Sequence, residues 1–277
     1  MLLLVDKTKC IYFGPCYNNI KPLHSCVPDL LYKKTLYKDE LIHRDLITES
    51  SEVKYLGVLF DNTLKFEKQI RSTTMKVNKM VGILWKVRDI PLSAKMSIYH
   101  GLVSSHLNYG ILIWGSQLAL NVAGKFDLNH VPNQLACINV AHNKIIRAIL
   151  CQKRYNKETK TVTHTAPLLK QLKLLNLNGI YYLQLALFAF DCLLTNTIPD
   201  YFTNYINSVD NKYMKYNSRA CSHDVLIPRV KLNTTLSSIR IASSYLWNLL
   251  PTDIRSTNSS RNIFKNKVKS WLISKLY

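Results

Sequence analysis

Lys54-Tyr55-Leu56-Gly57-Val58-Leu59-Phe60-Asp61 gathers the β-formers Tyr55, Val58 and Phe60, and just beyond it the hydrophobic period changes from that of a strand to that of a helix. Gly57 would let another stretch of backbone approach closely. From Leu64 onward, Phe66, Ile70, Val77, Val81 and Leu84 fall at helical spacing, and Lys65, Lys68, Arg71, Lys76 and Lys79 occupy the other faces. That pattern predicts an amphipathic basic helix, extended by Lys86 and Arg88. Pro91 with Ser93 after it predicts a boundary and a new N-cap. Residues 94–107 then read as a second helix with Met96, Tyr99 and Val103 on its apolar side. Leu107-Asn108-Tyr109-Gly110 and Ile113-Trp114-Gly115 lead into a third helical segment. A strand giving way to helices makes the expected fold α+β and mostly α-helical, with a small β portion.

On the N-terminal side, residues 1–13 read as a strand entering a turn at Gly14-Pro15, and residues 16–52 are polar and turn-rich, predicting a hairpin and a loop. On the C-terminal side, residues 121–133 read as a loop. Residues 135–150 form a helix that ends in the basic patch Lys144, Arg147, Lys153 and Arg154. His164, Pro167 and the leucine-rich residues 168–177 open a helical pair that ends near Pro199. A short apolar strand is expected at 225–227. Residues 237–250 predict a capped helix ending in Trp247-Asn248-Leu249-Leu250-Pro251. Residues 259–276 predict a last one carrying Phe264, Val268, Trp271 and Leu272, with Lys265, Lys267 and Lys269 between them. Trp114, Trp247 and Trp271 are assigned to the core. Residues 180–194 are the most hydrophobic stretch, yet Gln184 and Asp191 interrupt them and they fall short of the roughly 20 residues that span a bilayer, so a buried helix is expected.

The 277 residues are 47% apolar, enough for a real core, and carry 37 Lys and Arg against 17 Asp and Glu. A formal charge of +20 calls for a polyanionic partner. The basic residues are spread along the chain rather than gathered on one amphipathic helix, which favours nucleic acid over a membrane surface. Asp6 and Lys7 end the first apolar run too early for a secretory signal. Seven scattered cysteines fit free thiols in a reducing compartment, so the chain is expected inside the cell, in nucleus or cytoplasm. There is no glycine-rich phosphate loop and no Gly-x-Ser-x-Gly elbow, and no small-molecule substrate is expected. Cys137, His142 and Cys151 are too loosely spaced for a structural zinc site, and His100, His106, His130 and His164 are dispersed.

The order of these motifs resembles the polymerases of non-LTR retrotransposons of the jockey and CR1 type. Lys54 to Asp61 resembles their Lys-Tyr-Leu-Gly-Val strand, Tyr109-Gly110 through Trp114 their Tyr-Gly-x-x-x-Trp element, and the Trp247 to Pro251 segment with Phe264-Lys265 their C-terminal tail. Leu2 through Lys9, with Lys7, Thr8 and Lys9 in place, resembles the strand after the catalytic pair, although Leu4 stands where the family usually has Asn.

The resemblance implies residues 1–62 as a palm remnant, 63–120 as a helical thumb and 121–277 as a C-terminal helical region. Tyr55, Leu56 and Gly57 would lie on the strand that holds the primer end. Lys65, Lys68, Arg71, Lys76, Lys79, Lys86 and Arg88 would grip the backbone of an RNA or RNA–DNA duplex, or of DNA. Lys7 would be a vestigial general acid for the leaving pyrophosphate. The parent activity is RNA-directed DNA synthesis with magnesium held by a pair of carboxylates. No two aspartates are adjacent in this sequence, so the chain is expected to be truncated, to hold no metal and, alone, to be inactive. Its rivals are a domesticated sequence-independent nucleic-acid-binding protein and a transposon remnant without function.

Overall fold

The computed structural model describes residues 9, 11, 13, 31–33, 44–46, 50–119, 129–156, 161–195, 199–202, 205–207, 224–230, 233–256 and 260–276. They divide into two units, Met1–Gln69 and Ile70–Tyr277. The Leu2 to Lys9 motif, Lys9 apart, and the expected strand at residues 1–13, apart from Lys9, Ile11 and Phe13, lie outside the described residues.

In the first unit, β1 (Leu31–Lys33) pairs antiparallel with β2 (Arg44–Leu46), within the stretch where a hairpin was expected. The single strand expected over residues 54–60 is instead a second hairpin. In it β3 (Glu52–Tyr55) pairs with β4 (Val58–Asp61), with Tyr55 opposite Val58. The reason lies in the two residues between them. Leu56 at φ 44° and Gly57 at φ 83° are both left-handed, the signature of a two-residue type I′ turn whose twist matches the flanking strands. Gly57 therefore supplies a backbone conformation here. Val58 and Phe66 are buried, and Phe60 meets Phe66 edge-on at 5.5 Å. The buried Gln69 side chain accepts from the Leu59 amide at 3.1 Å.

Asp61 closes β4. Its carboxylate accepts from the Thr63 hydroxyl at 2.7 Å and from the amides of Thr63 and Lys65 at 3.1 and 3.0 Å. Burial pushes its pKa up, but these hydrogen bonds outweigh that and hold the carboxyl below its ordinary value.

The second unit takes most of α1 (Glu67–Lys86), whose buried residues Ile70, Thr73, Val77 and Leu84 repeat with the expected helical period. Next come α2 (Leu92–Ile98), a π-helical stretch Tyr99–Ser104 and α3 (Ser105–Asn108), which run on without a break. Pro91 itself takes the N-cap position, with no side-chain cap, so the expected cap Ser93 lies inside the first turn. Gly110, at φ 64°, stops this run before α4 (Ile111–Trp114). The buried Trp114 indole donates back to the Tyr109 carbonyl at 2.8 Å. Gly115 is needed for space, because a Cβ there would lie 2.6 Å from the Ile111 carbonyl oxygen and 3.3 Å from the Tyr181 ring.

After α5 (Ala136–Ile149) comes a short hairpin that the sequence did not suggest, β5 (Tyr155–Asn156) against β6 (Thr161–Val162). It is followed by α6 (Thr165–Gln171) and α7 (Leu177–Leu194). The Asn176 side chain caps α7 by accepting from the Gly179 amide at 2.8 Å. By length and composition α7 could cross a membrane, but 67% of it is buried inside this fold, as a helix apolar on all sides should be.

Around α7 pack α3, α4, α8 (Ile239–Leu249) and α10 (Arg261–Leu276), with α9 (Thr252–Arg255) between the last two in the chain. Phe264 stacks between Phe190 and Trp247 at 4.5 and 5.9 Å. Arg261 forks onto Asp191, with Nε to Oδ1 at 2.9 Å and Nη2 to Oδ2 at 3.0 Å. Trp114 and Trp247 are core residues as expected, while Trp271 is only half-buried.

The strand expected at 225–227 is an extended segment with no neighbouring strand among the described residues. The side-chain amide of Asn248 pairs with it, accepting from Val225 N and donating to Val225 O, each at 2.9 Å, and the Leu226 amide donates to the Asn207 carbonyl at 2.9 Å. The fold is α+β and mostly α-helical.

Candidate nucleic-acid interface

Charged side chains are costly to bury unpaired, so the helical period that places Ile70 and Val77 in the core turns the cations of α1 to the other face. Within the second unit Arg71, Lys76, Lys79 and Lys86 are all exposed. At about 100° per residue they fall in an arc of roughly 140° opposite the buried stripe. No acidic residue occurs from 71 to 86, and Met75 and Ile83 are the exposed apolar residues sharing that surface. Arg88, beyond the helix, is exposed and lies 3.7 Å from Asp89.

The other expected contacts belong to the first unit. Lys65 and Lys68 are exposed, and Lys68 is ion-paired with Glu52. Tyr55, Leu56 and Gly57 form the exposed tip of the β3–β4 hairpin. Lys7 lies outside the described residues.

Of the aromatics that could stack on a base, two are in the core, in keeping with their apolar assignment. Tyr99 and Trp114 are 2% and 1% exposed and cannot meet a base. Tyr109 is exposed. The sequence reading missed Trp85, which is 38% exposed. Its signal was present: Trp85 lies at the edge of the apolar stripe, next to Lys86.

Trp85 opens on a cleft of about 470 Å³ between the C-terminal half of α1, α5 and the segment after it. Val81 and Val140 share the cleft with Lys144, Arg147, Lys153 and Arg154, and none of the residues lining it is acidic. Arg147 is held in place, its Nη2 donating to Thr165 Oγ1 at 2.7 Å and to the Thr163 carbonyl at 3.4 Å. Partial burial, and then repulsion from Arg154, push its pKa down. Farther off, burial and then Lys269 and Lys265 of α10 lower the pKa of His100.

Among the described residues no three His, Cys, Asp or Glu side chains converge, and Asp61 is committed to its turn.

A scaffold of helices with a carboxylate-free basic face suits a polyanion, and the comparisons agree with that direction. Over 108 residues, 38% of this chain, it is 30% identical to the probable RNA-directed DNA polymerase from transposon BS of Drosophila melanogaster. Over 94 residues, 32% of the chain, it is 30% identical to the RNA-directed DNA polymerase from mobile element jockey of Drosophila funebris. The chain is related to the reverse transcriptases of jockey-like non-LTR retrotransposons. Each match takes in 10% of the relative, so the similarity covers about a tenth of those polymerases. No family model and no solved structure matches the chain.

Proposed function

We propose that these residues are a nucleic-acid-gripping part of a retrotransposon reverse transcriptase. In this reading residues 1–62 are the end of its palm, 63–120 its thumb and 121–277 the helical region that follows. The observation that carries it is the exposed face of α1, where Arg71, Lys76, Lys79 and Lys86 stand without a carboxylate among them. Such a face neutralises phosphates whatever the sequence, and binding through it releases counterions. The partner is an RNA or RNA–DNA duplex, with DNA duplex as the weaker candidate. The hairpin tip at Tyr55, Leu56 and Gly57 supports the primer end. Chemistry is left to carboxylates that these residues do not supply, since no two aspartates are adjacent in the sequence.

The test is binding of the purified chain to a labelled RNA–DNA hybrid across a salt series. Four phosphate contacts give a slope of log K against log salt of about −3.6, and replacing Lys76 and Lys79 together by Gln makes it shallower by about 2. Absence of binding at low salt sinks the reading. A primer-extension assay is expected to show no incorporation, and metal-dependent synthesis by the chain would overturn the assignment of grip without chemistry.

A further inference from the structure

The α1–α5 cleft differs from the basic face of α1 in two respects. It is concave, with about 470 Å³ of space, and it sets an accessible indole among cations. A duplex presents phosphates to a convex helix face but keeps its bases stacked inside. An unpaired nucleotide presents a free π-face together with its phosphate, and every base has such a face.

We infer that this cleft is a subsite for one nucleotide of a single strand, with the base against Trp85 and the phosphate among Lys144, Lys153 and Arg154. The inference rests on the nucleic-acid reading above and adds a single-strand site that the basic face of α1 does not provide.

Three observations carry it. The volume lies in the range of sites that take small ligands and is ample for a base with its sugar. Arg147 is anchored to Thr165 and Thr163, so a fixed positive charge backs the cleft, while Lys144, Lys153 and Arg154 are exposed and free to close on an anion. Crowding Arg147 beside Arg154 with no carboxylate in the lining leaves a repulsion that a bound phosphate relieves. The Nε of Arg147 is also buried without an acceptor among the described residues. An acidic peptide would satisfy the charges but has no π-face for the indole, which is why the nucleotide is preferred.

The experiment uses the full chain with a short unstructured RNA strand, a duplex of the same length, adenosine monophosphate and polyglutamate. Binding is read by anisotropy and by quenching of tryptophan fluorescence. Trp85→Leu is expected to weaken single-strand binding by roughly 5- to 150-fold, the range for losing one stacked base. Duplex affinity should stay within two-fold, and Trp85→Phe, which keeps a ring, should restore much of the loss. Replacing Lys153 and Arg154 together by Gln should make the single-strand salt slope shallower by about 1.4.

Equal losses for strand and duplex, or none for either, overturn the inference. So does adenosine monophosphate binding as tightly as the strand, which assigns the cleft to free nucleotides, or polyglutamate competing as well as RNA, which makes it a surface for acidic protein. The two readings fail separately. Duplex binding that depends on Lys76 and Lys79 but not on Trp85, with no quenching by the strand, removes the cleft alone. A chain that binds no nucleic acid removes both.

Discussion

The Tyr99 hydroxyl lies 2.9 Å from Nε2 of His142, and both side chains are buried. Tyr99 belongs to the π-helical stretch and His142 to α5, so this hydrogen bond ties two helices together inside the core. Burial holds the imidazole neutral by pushing its pKa down to about 4.

A buried neutral histidine makes the fold sensitive to acid. The unfolded chain binds a proton near the ordinary histidine pKa of about 6.5 and the folded one does not until about 4, so the stabilisation is complete above pH 6.5 and is lost as the pH falls toward 4. The full effect is about 3 kcal/mol. Denaturant unfolding between pH 7.5 and 4.5 should show it, and His142→Leu should flatten that part of the profile. An unchanged profile in the variant would assign the acid sensitivity to other groups.

Tyr99→Phe keeps the ring and removes only the hydroxyl, leaving Nε2 of His142 buried without its partner. A destabilisation of roughly 1–3 kcal/mol is expected, the cost of an unmet buried polar atom. Thermal unfolding at neutral pH measures it.

Leu56 occupies a left-handed turn position that its side chain disfavours, and it is 74% exposed, so little packing holds it there. Leu56→Asn gives the turn the Asn-Gly pair that type I′ geometry favours and should stabilise the hairpin by about 1 kcal/mol. Slower amide exchange at Val53 and Phe60 is the expected readout, and faster exchange would count against the turn assignment.

Gly115→Ala introduces a methyl group 2.6 Å from a main-chain oxygen, which cannot move as a side-chain tip could. Overpacking of this kind costs roughly 1–3 kcal/mol, here at the contact between α4 and Tyr181 of α7. A lowered unfolding temperature with unchanged nucleic-acid affinity is expected.

Long periodic helices were legible because a single physical rule places their side chains. Ile70, Val77 and Leu84 went inside, and Arg71, Lys76 and Lys79 therefore went outside. What escaped depends on partners far away in sequence or on atypical residues. Leu56 hid a turn because its position ordinarily takes Asn or Gly. The π-helical turn at Tyr99 has no composition of its own. Asn248 reads as a helix residue and becomes the partner of Val225 only once the chain has folded. For the candidate site, the basic face could be read from α1 alone, whereas the cleft required knowing that α5 lies beside it. The sequence put Tyr99 on the apolar side of its helix, but nothing in it told that His142 would be the partner of its hydroxyl.

The pairing of Asn248 with Val225 also bears on self-association. Extended segments with idle main-chain donors and acceptors recruit other chains edge to edge, and proteins usually blunt such edges with charge, proline or a covering strand. Here one carboxamide occupies both polar groups of Val225, so that residue offers no template for an incoming strand. Val225 is itself buried and the next amide, that of Leu226, donates to the Asn207 carbonyl at 2.9 Å, so Asn248 is one of several partners that leave this segment no idle edge.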